Sequence, residues 1–265
     1  MNGDDRSGEK YIEWEKIDVG NSRYVGIIHL NKPKRNSIGS WLLDAVYDKI
    51  DKFESDDDVG AIVIASKLKG VFSDGADREE LFGSWISGLV AEKDYDRFER
   101  AHQMYLEIEN CCKPTVAAIN GITIGAGLEL AMLCDLRISS DIAFFSLPEA
   151  KPELSIIPGL GGTQRLTKLI GPARAKEMLY LGRMIRAETA YNWGLVNKLV
   201  PHKEVLTNSI GVAKELAEKD SRALCDLKKC INFAVDHDIN EGIDFEVKHF
   251  SEIMRLKLQR RNNAV

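Results

Sequence analysis

No stretch of this 265-residue chain approaches the roughly eighteen apolar residues that a membrane-spanning helix needs, and the opening MNGDDRSGEK holds no apolar core of the kind a secretory leader carries. These absences point to a soluble, cytoplasmic protein. The five cysteines, Cys111, Cys112, Cys134, Cys225 and Cys230, follow no C-x-x-C or zinc-ligand spacing, and the five histidines are scattered singly. No metal centre is expected, and the thiols read as reduced packing residues. A formal charge of −5 gives no general field for nucleic acid. What is present is a 44% hydrophobic chain, long enough to bury a sizeable core and suited to a small ligand.

After a polar arm, YIEWEKI and YVGIIHLN alternate like paired strands and run into the turn-rich NKPKRNS. WLLDAVYDKIDKF has helical spacing and GAIVIAS reads as a buried strand. The alternation recurs: RFERAHQMYLEIENC as helix, PTVAAIN as strand, GLELAMLCD as helix, LRISS and AFFSL as strands. From Gly161 onward the pattern is nearly all helical, and no Pro/Ser-rich linker separates it from what precedes.

AAINGITIGAGLELAM, residues 117 to 132, sets strand, glycines and helix in succession. A dinucleotide-binding turn has that order, but the third glycine of G-x-G-x-x-G is Leu130 here, and no Tyr-x-x-x-Lys pair follows. The Gly159-Leu-Gly-Gly-Thr163 run lacks the lysine of a P-loop and reads as a turn with a helix start. The other use of such a turn is electrostatic. A helix starting near Gly125 leaves its first N–H groups unpaired at the positive end of its dipole, so Ala126 is placed to donate to an oxyanion, with Glu129 one turn on.

These residues carry a resemblance. VFSDGADREEL, NGITIGAGLELAMLCD and PEAKPELSIIPGLGGTQRL are similar, in order, to three segments of the enoyl-CoA hydratase (crotonase) family, and LNKPKRNSI resembles the family's opening segment. The likeness covers roughly residues 11 to 250. It implies an α/β fold, a crotonase-like spiral of repeated strand-strand-helix units over 11–200, followed by a C-terminal helical trimerisation region over 201–265 that is not an independent domain. It implies oxyanion donors at Ala76 and Ala126, the latter where the family usually has glycine. It carries the two family glutamates onto Glu129 and Glu149, and a water-positioning amide onto Gly159. Coenzyme A contacts are implied for Lys34, Arg35, Asp74, Ala76, Asp77 and Arg78. The partners implied are an acyl-CoA substrate and copies of the chain itself, in a homotrimer or a pair of trimers. No separate cofactor is implied, coenzyme A being part of the substrate.

Adding water across a 2,3-double bond conjugated to a thioester puts negative charge on the carbonyl oxygen, and an N–H aimed there contributes on the order of 3 kcal/mol. The reaction also needs one proton taken from water and one delivered to the alpha carbon; Glu149 is assigned to the proton exchanged at the alpha carbon, and Glu129, with Glu149, to holding and activating the water. An isomerase would need only the Glu149-type carboxylate. A binding protein without turnover is the other class; its one local support is the basic RLKLQRR segment, a pattern that solvated helix ends also show. Two departures from the family stand out. Eight residues separate Glu149 from Pro158, two more than usual, which brings a further acid, Glu153, toward the expected pocket. The family's final helix motif, with its coenzyme-contacting Phe and Lys, does not follow the basic segment. Phe82 and Trp85 read equally as an acyl-pocket wall or as core.

Overall fold

The computed structural model describes residues 8–85 and 95–262. A hairpin opens the fold: β1 (Ile12–Gly20) lies antiparallel to β2 (Arg23–Leu30), with Ile12 opposite Leu30. Helix α1 (Ser40–Glu54) follows, turning Leu42, Leu43, Val46, Ile50 and Phe53 inward at helical spacing. The chain then repeats one pattern of longer strand, short strand and helix. The first round is β3 (Val59–Ser66), β4 (Val71–Ser73) and α2 (Tyr95–Asn110). The second is β5 (Thr115–Ile119), β6 (Ile122–Ile124) and α3 (Ala126–Leu133). The third starts with β7 (Leu136–Ser140) and β8 (Phe144–Ser146) and reaches α4 (Gly162–Ile170) and α5 (Pro172–Leu181).

Each round gives one strand to each of two sheets. The longer strands, with the three-residue β10 (Lys198–Val200), form a six-stranded sheet in the order β1-β2-β3-β5-β7-β10, and the short ones, with β9 (Ile185–Arg186), a four-stranded sheet in the order β4-β6-β8-β9. The pairings between rounds are parallel, so the backbone advances as a spiral. β3 is apolar at almost every position because both faces are covered. Ile62 and Ile64 face the core shared with α1 and α2, whereas Ala61 and Val63 face a second core. Helix α7 (Val205–Ala217) closes that second core with Val205, Ala213 and Ala217. Gly60 permits the contact, since a Cβ there would come 2.6 Å from Cα of Ala217.

The nearly all-helical expectation beyond Gly161 needs correction. β9 (Ile185–Arg186) closes the small sheet and β10 (Lys198–Val200) edges the large one, either side of α6 (Ala187–Trp193). Strands of two and three residues show no periodicity to read. Helices α8 (Ser221–Ala234) and α9 (Ile239–Asn262) form a hairpin. Phe233 stacks on Phe245 between them at 4.2 Å, and buried Asp226 accepts from Arg222 at 2.6 Å and pairs with His249 at 3.0 Å. The cysteine expectation is corrected in part. Cys111 and Cys134 are buried free thiols, but Cys112 and Cys225 form a disulfide that ties the segment after α2 to α8. Linear spacing hides this pair, because only the fold brings residues 113 positions apart together. Among the described residues no helix is long and apolar enough to cross a membrane.

Candidate active site

Two glycine turns from successive rounds of the spiral face each other. Gly75 (φ +110°) ends the β4 turn and Gly125 (φ +52°) ends β6, both in the left-handed half of backbone space that glycine tolerates. A Cβ on Gly75 would stand 3.2 Å from the carbonyl oxygen of Ile124, so the turns are nearly in contact. On the first turn Ile38 is pinned from both sides: its N–H donates to Gly75 O (2.7 Å) and its carbonyl accepts from Asp77 N–H (2.7 Å). The intervening N–H, that of Ala76, finds no acceptor among the described residues. On the second turn the Gly125 carbonyl accepts from Leu128 and Glu129 as α3 begins (2.8 and 2.9 Å). The N–H of Ala126, first residue of the helix, likewise has no acceptor among the described residues, the ordinary state of a helix N-terminus awaiting a negative partner.

Both family-implied carboxylates meet beneath these turns. Glu129 lies on α3, whose eight residues are all buried, and is 2% exposed. Its Oε1 accepts from the N–H groups of Leu160 (2.9 Å) and Gly162 (2.8 Å). Burial pushes its carboxyl above the usual carboxylate range, while those two N–H bonds and the nearby Arg165 guanidinium pull it back. Glu149, after β8, stands with Oε1 2.9 Å from where a Cβ on Gly125 would be. Its Oε2 is buried without a partner among the described residues. Burial first, and then the charge of Glu129, push the Glu149 carboxyl up to about 7. The two acids are thus inequivalent: one is held by amides of the following turn, while the other has an oxygen with no partner among the described residues and titrates near neutrality.

A cavity of about 110 Å³ opens over these groups. Ala76, Ala126, Glu129, Glu149 and Gly159 line it, together with Asp74 and Arg78, and its apolar wall is Leu81, Phe98, Leu154, Ile156 and Ile157. The N–H of Gly159 also has no acceptor among the described residues. Arg35 reaches the rim, its guanidinium 3.6 Å from the Asp74 carboxylate, and Lys34 is exposed on the same loop at positive φ. Buried Asn36 ties that loop down, its amide donating to the Phe72 carbonyl (2.9 Å) and the Ser66 hydroxyl (2.8 Å). Asp77 stands outside the cavity wall: it caps the helical turn Arg78–Glu80 and pairs with Lys32 at 2.7 Å. A larger and more apolar hollow of about 470 Å³ lies between α8 and the back of α3, but it contains neither Glu129 nor Glu149.

Two expectations change. Glu153 is exposed and does not line the cavity, because residues 150–155 form an excursion closed at its base by the Ile156 N–H donating to the Glu149 carbonyl (3.0 Å). Phe82 is 47% exposed and its neighbour Leu81 takes the wall; the Trp85 side chain lies outside the described residues. Sequence reasoning missed the groups behind the carboxylates: the Leu160 and Gly162 amides, Phe98 and Arg165. A backbone donor has no side-chain signature, and Phe98 reads in the sequence as one more apolar position of a helix, so neither stood out.

Spiral, paired sheets and facing glycine turns define a crotonase-type α/β fold, and the comparisons agree. A family model described as enoyl-CoA hydratase/isomerase matches residues 20–262, and the chain belongs to that family. It is 33% identical over 255 residues to a probable enoyl-CoA hydratase of Rhizobium meliloti (strain 1021), covering 96% of this chain and 95% of the relative. It is 34% identical over 242 residues to the mitochondrial enoyl-CoA hydratase of Pongo abelii, covering 91% and 79%. Among solved structures, the enoyl-CoA hydratase of Bacillus anthracis superposes with a TM-score of 0.83 at 30% identity, covering 96% of both chains.

Proposed function

We propose that this chain hydrates, and in reverse dehydrates, a 2-enoyl-CoA thioester. The observation that carries the reading is the pair of inequivalent buried carboxylates beneath two facing N–H groups with no acceptor among the described residues. In the forward direction the thioester carbonyl oxygen accepts from Ala76 and Ala126 N–H. Glu129, ionised, takes a proton from a water also held by Gly159 N–H. The resulting hydroxide bonds to C3, the double-bond electrons move onto the carbonyl oxygen as an enolate, and Glu149 then delivers a proton to C2. Return of the proton from Glu129 to Glu149 resets the pair. A carboxyl that titrates near 7 is matched to giving and taking a proton at neutral pH. Lys34, Arg35 and Arg78 offer positive charge to the phosphates of coenzyme A, which enters as part of the substrate. Assembly as a trimer or pair of trimers is part of the proposal and is supported by the exposed Ile243, Val247 and Phe250 on α9.

The names of the relatives favour hydration over isomerisation, and so does a buried Glu129 whose second oxygen is left for water. The test is loss of absorbance at the conjugated thioester of crotonyl-CoA. Glu149→Gln is expected to lower kcat by at least ~10²-fold, with binding of a saturated acyl-CoA little changed. Near-parental hydration by that variant overturns the assignment. Isomerisation surviving in Glu129→Gln while the parent hydrates nothing would make the chain an isomerase.

A further inference from the structure

The cradle that holds Glu129 is itself held by one guanidinium. Leu160 and Gly162, whose N–H groups meet Glu129 Oε1, flank Gly161 at φ +91°. The space a Cβ on Gly161 would take is filled by Nη1 of Arg165. That Nη1 donates to the Leu160 carbonyl at 2.9 Å, while Nε and Nη2 donate to the two carboxylate oxygens of Glu109 at 3.0 and 2.7 Å. Leu160 is thus fixed at both ends of its backbone, its N–H by Glu129 and its C=O by Arg165. Glu109, near the end of α2, fixes the fork in its plane, a bidentate geometry lysine cannot reproduce. The Arg165 side chain is 12% exposed and is absent from the cavity wall.

We infer that Arg165, seated by Glu109, is a positioning residue for the reaction: it sets the Leu160–Gly162 cradle and acts on chemistry only through Glu129. The inference rests on the hydratase reading for its kinetic consequence but not for its structural one. A carboxylate aligned by two amides is held where water must be met, and displacement by about 1 Å is enough to cost ~10²-fold in rate. The positive charge behind the loop also works against the burial that disfavours the ionised form of Glu129.

The experiment uses the full chain labelled with ¹³C at the glutamate carboxyls, Glu129→Gln serving to assign the Glu129 resonance. Arg165→Met, Arg165→Lys and Glu109→Gln are compared with the parent for kcat, KM for crotonyl-CoA, and the Glu129 titration. Arg165→Met is expected to lower kcat by about tenfold or more with KM within about threefold, and to move the Glu129 midpoint to higher pH. Arg165→Lys restores the charge without the fork, so its midpoint stays close to that of the parent while kcat remains reduced. Glu109→Gln keeps the guanidinium's charge but loosens its seat, so kcat falls by less than in Arg165→Met while the Glu129 midpoint stays close to that of the parent, and it carries the test with the lysine variant if Arg165→Met does not fold. Lower thermal stability with kcat and the Glu129 titration both unmoved would make Arg165 only a link between α2 and α4 and overturn the inference. A parent without hydratase activity would sink the functional reading, while the titration still judges the cradle.

Discussion

Buried polar groups are treated in opposite ways at the two ends of α3. At its C-terminal end they are saturated. Arg137 is 4% exposed and spends its donors on the carbonyls of Leu195 (2.7 Å) and Cys134 (2.5 Å). Asp135 accepts from the Thr115 N–H (2.7 Å), its hydroxyl (3.0 Å) and the largely buried Lys228 ammonium (3.0 Å). At the N-terminal end the Glu149 Oε2 and the amides of Ala76, Ala126 and Gly159 have no acceptor or donor among the described residues. Leaving a buried polar group unmade costs roughly 1–3 kcal/mol. A chain that satisfies one end so fully and not the other reserves the second for something it binds. The saturated end is also where the disulfide ties α8 to the body of the fold.

The contrast predicts that cutting anchors at the saturated end lowers stability and spares chemistry, and that altering the open end does the reverse. The largest effect is expected for the disulfide. It closes a loop spanning 113 positions, so Cys112→Ser or a thiol reductant should cost on the order of 4 kcal/mol, read as a lower denaturation midpoint with kcat per folded molecule retained. An unchanged midpoint on reduction would remove it from the anchors. Asp135→Ala strands the Thr115 amide and the Lys228 ammonium, and about 3 kcal/mol should be lost, again without a change in kcat.

At the open end the sign inverts. The Glu149 carboxyl binds its proton more tightly folded, about 7, than in the unfolded chain, near 4.5. The native state therefore holds the extra proton between those values, and stability falls as pH rises through that window. Glu149→Gln removes the penalty. At pH 8 the variant should be roughly 3 kcal/mol more stable than the parent while being nearly inactive, and the gain should shrink as pH falls and vanish below about pH 4. A variant less stable than the parent at pH 8 would show that Glu149 is an anchor after all. The smallest effect is expected for Ala126→Gly, which keeps the N–H and should change stability by no more than about 1 kcal/mol. Its kcat should stay within a few-fold of the parent, and a large loss would transfer the work from the backbone to the methyl group.

Much of this contrast was legible before any coordinates. The glycine turns, the start of α3 at Ala126 and the meeting of Glu129 with Glu149 follow from motifs in which chain order and spatial order coincide over one round of the spiral. β3 announces itself because a strand covered on both faces is apolar at successive positions. Features without a local pattern stayed hidden. β9 pairs with β8 through only Phe144 and Phe145, too short a run to alternate. Glu153 looked like a third acid of the site because sequence counts residues along the chain, and an excursion that returns to its origin adds residues without adding reach. Arg165 was visible as part of a motif, but its partners, Glu109 and the Leu160 carbonyl, depend on how α2 lies across α4.

The excursion at 150–155 has one more consequence. The chain leaves at Glu149 and rejoins at Ile156, its base closed by the Ile156 N–H donating to the Glu149 carbonyl and by the Lys151 N–H donating to the Pro148 carbonyl. Leu154, near its far end, nonetheless reaches the cavity wall. The molecule thus carries, outside the elements that hold Glu129 and Glu149, a segment whose side chains shape the space above them.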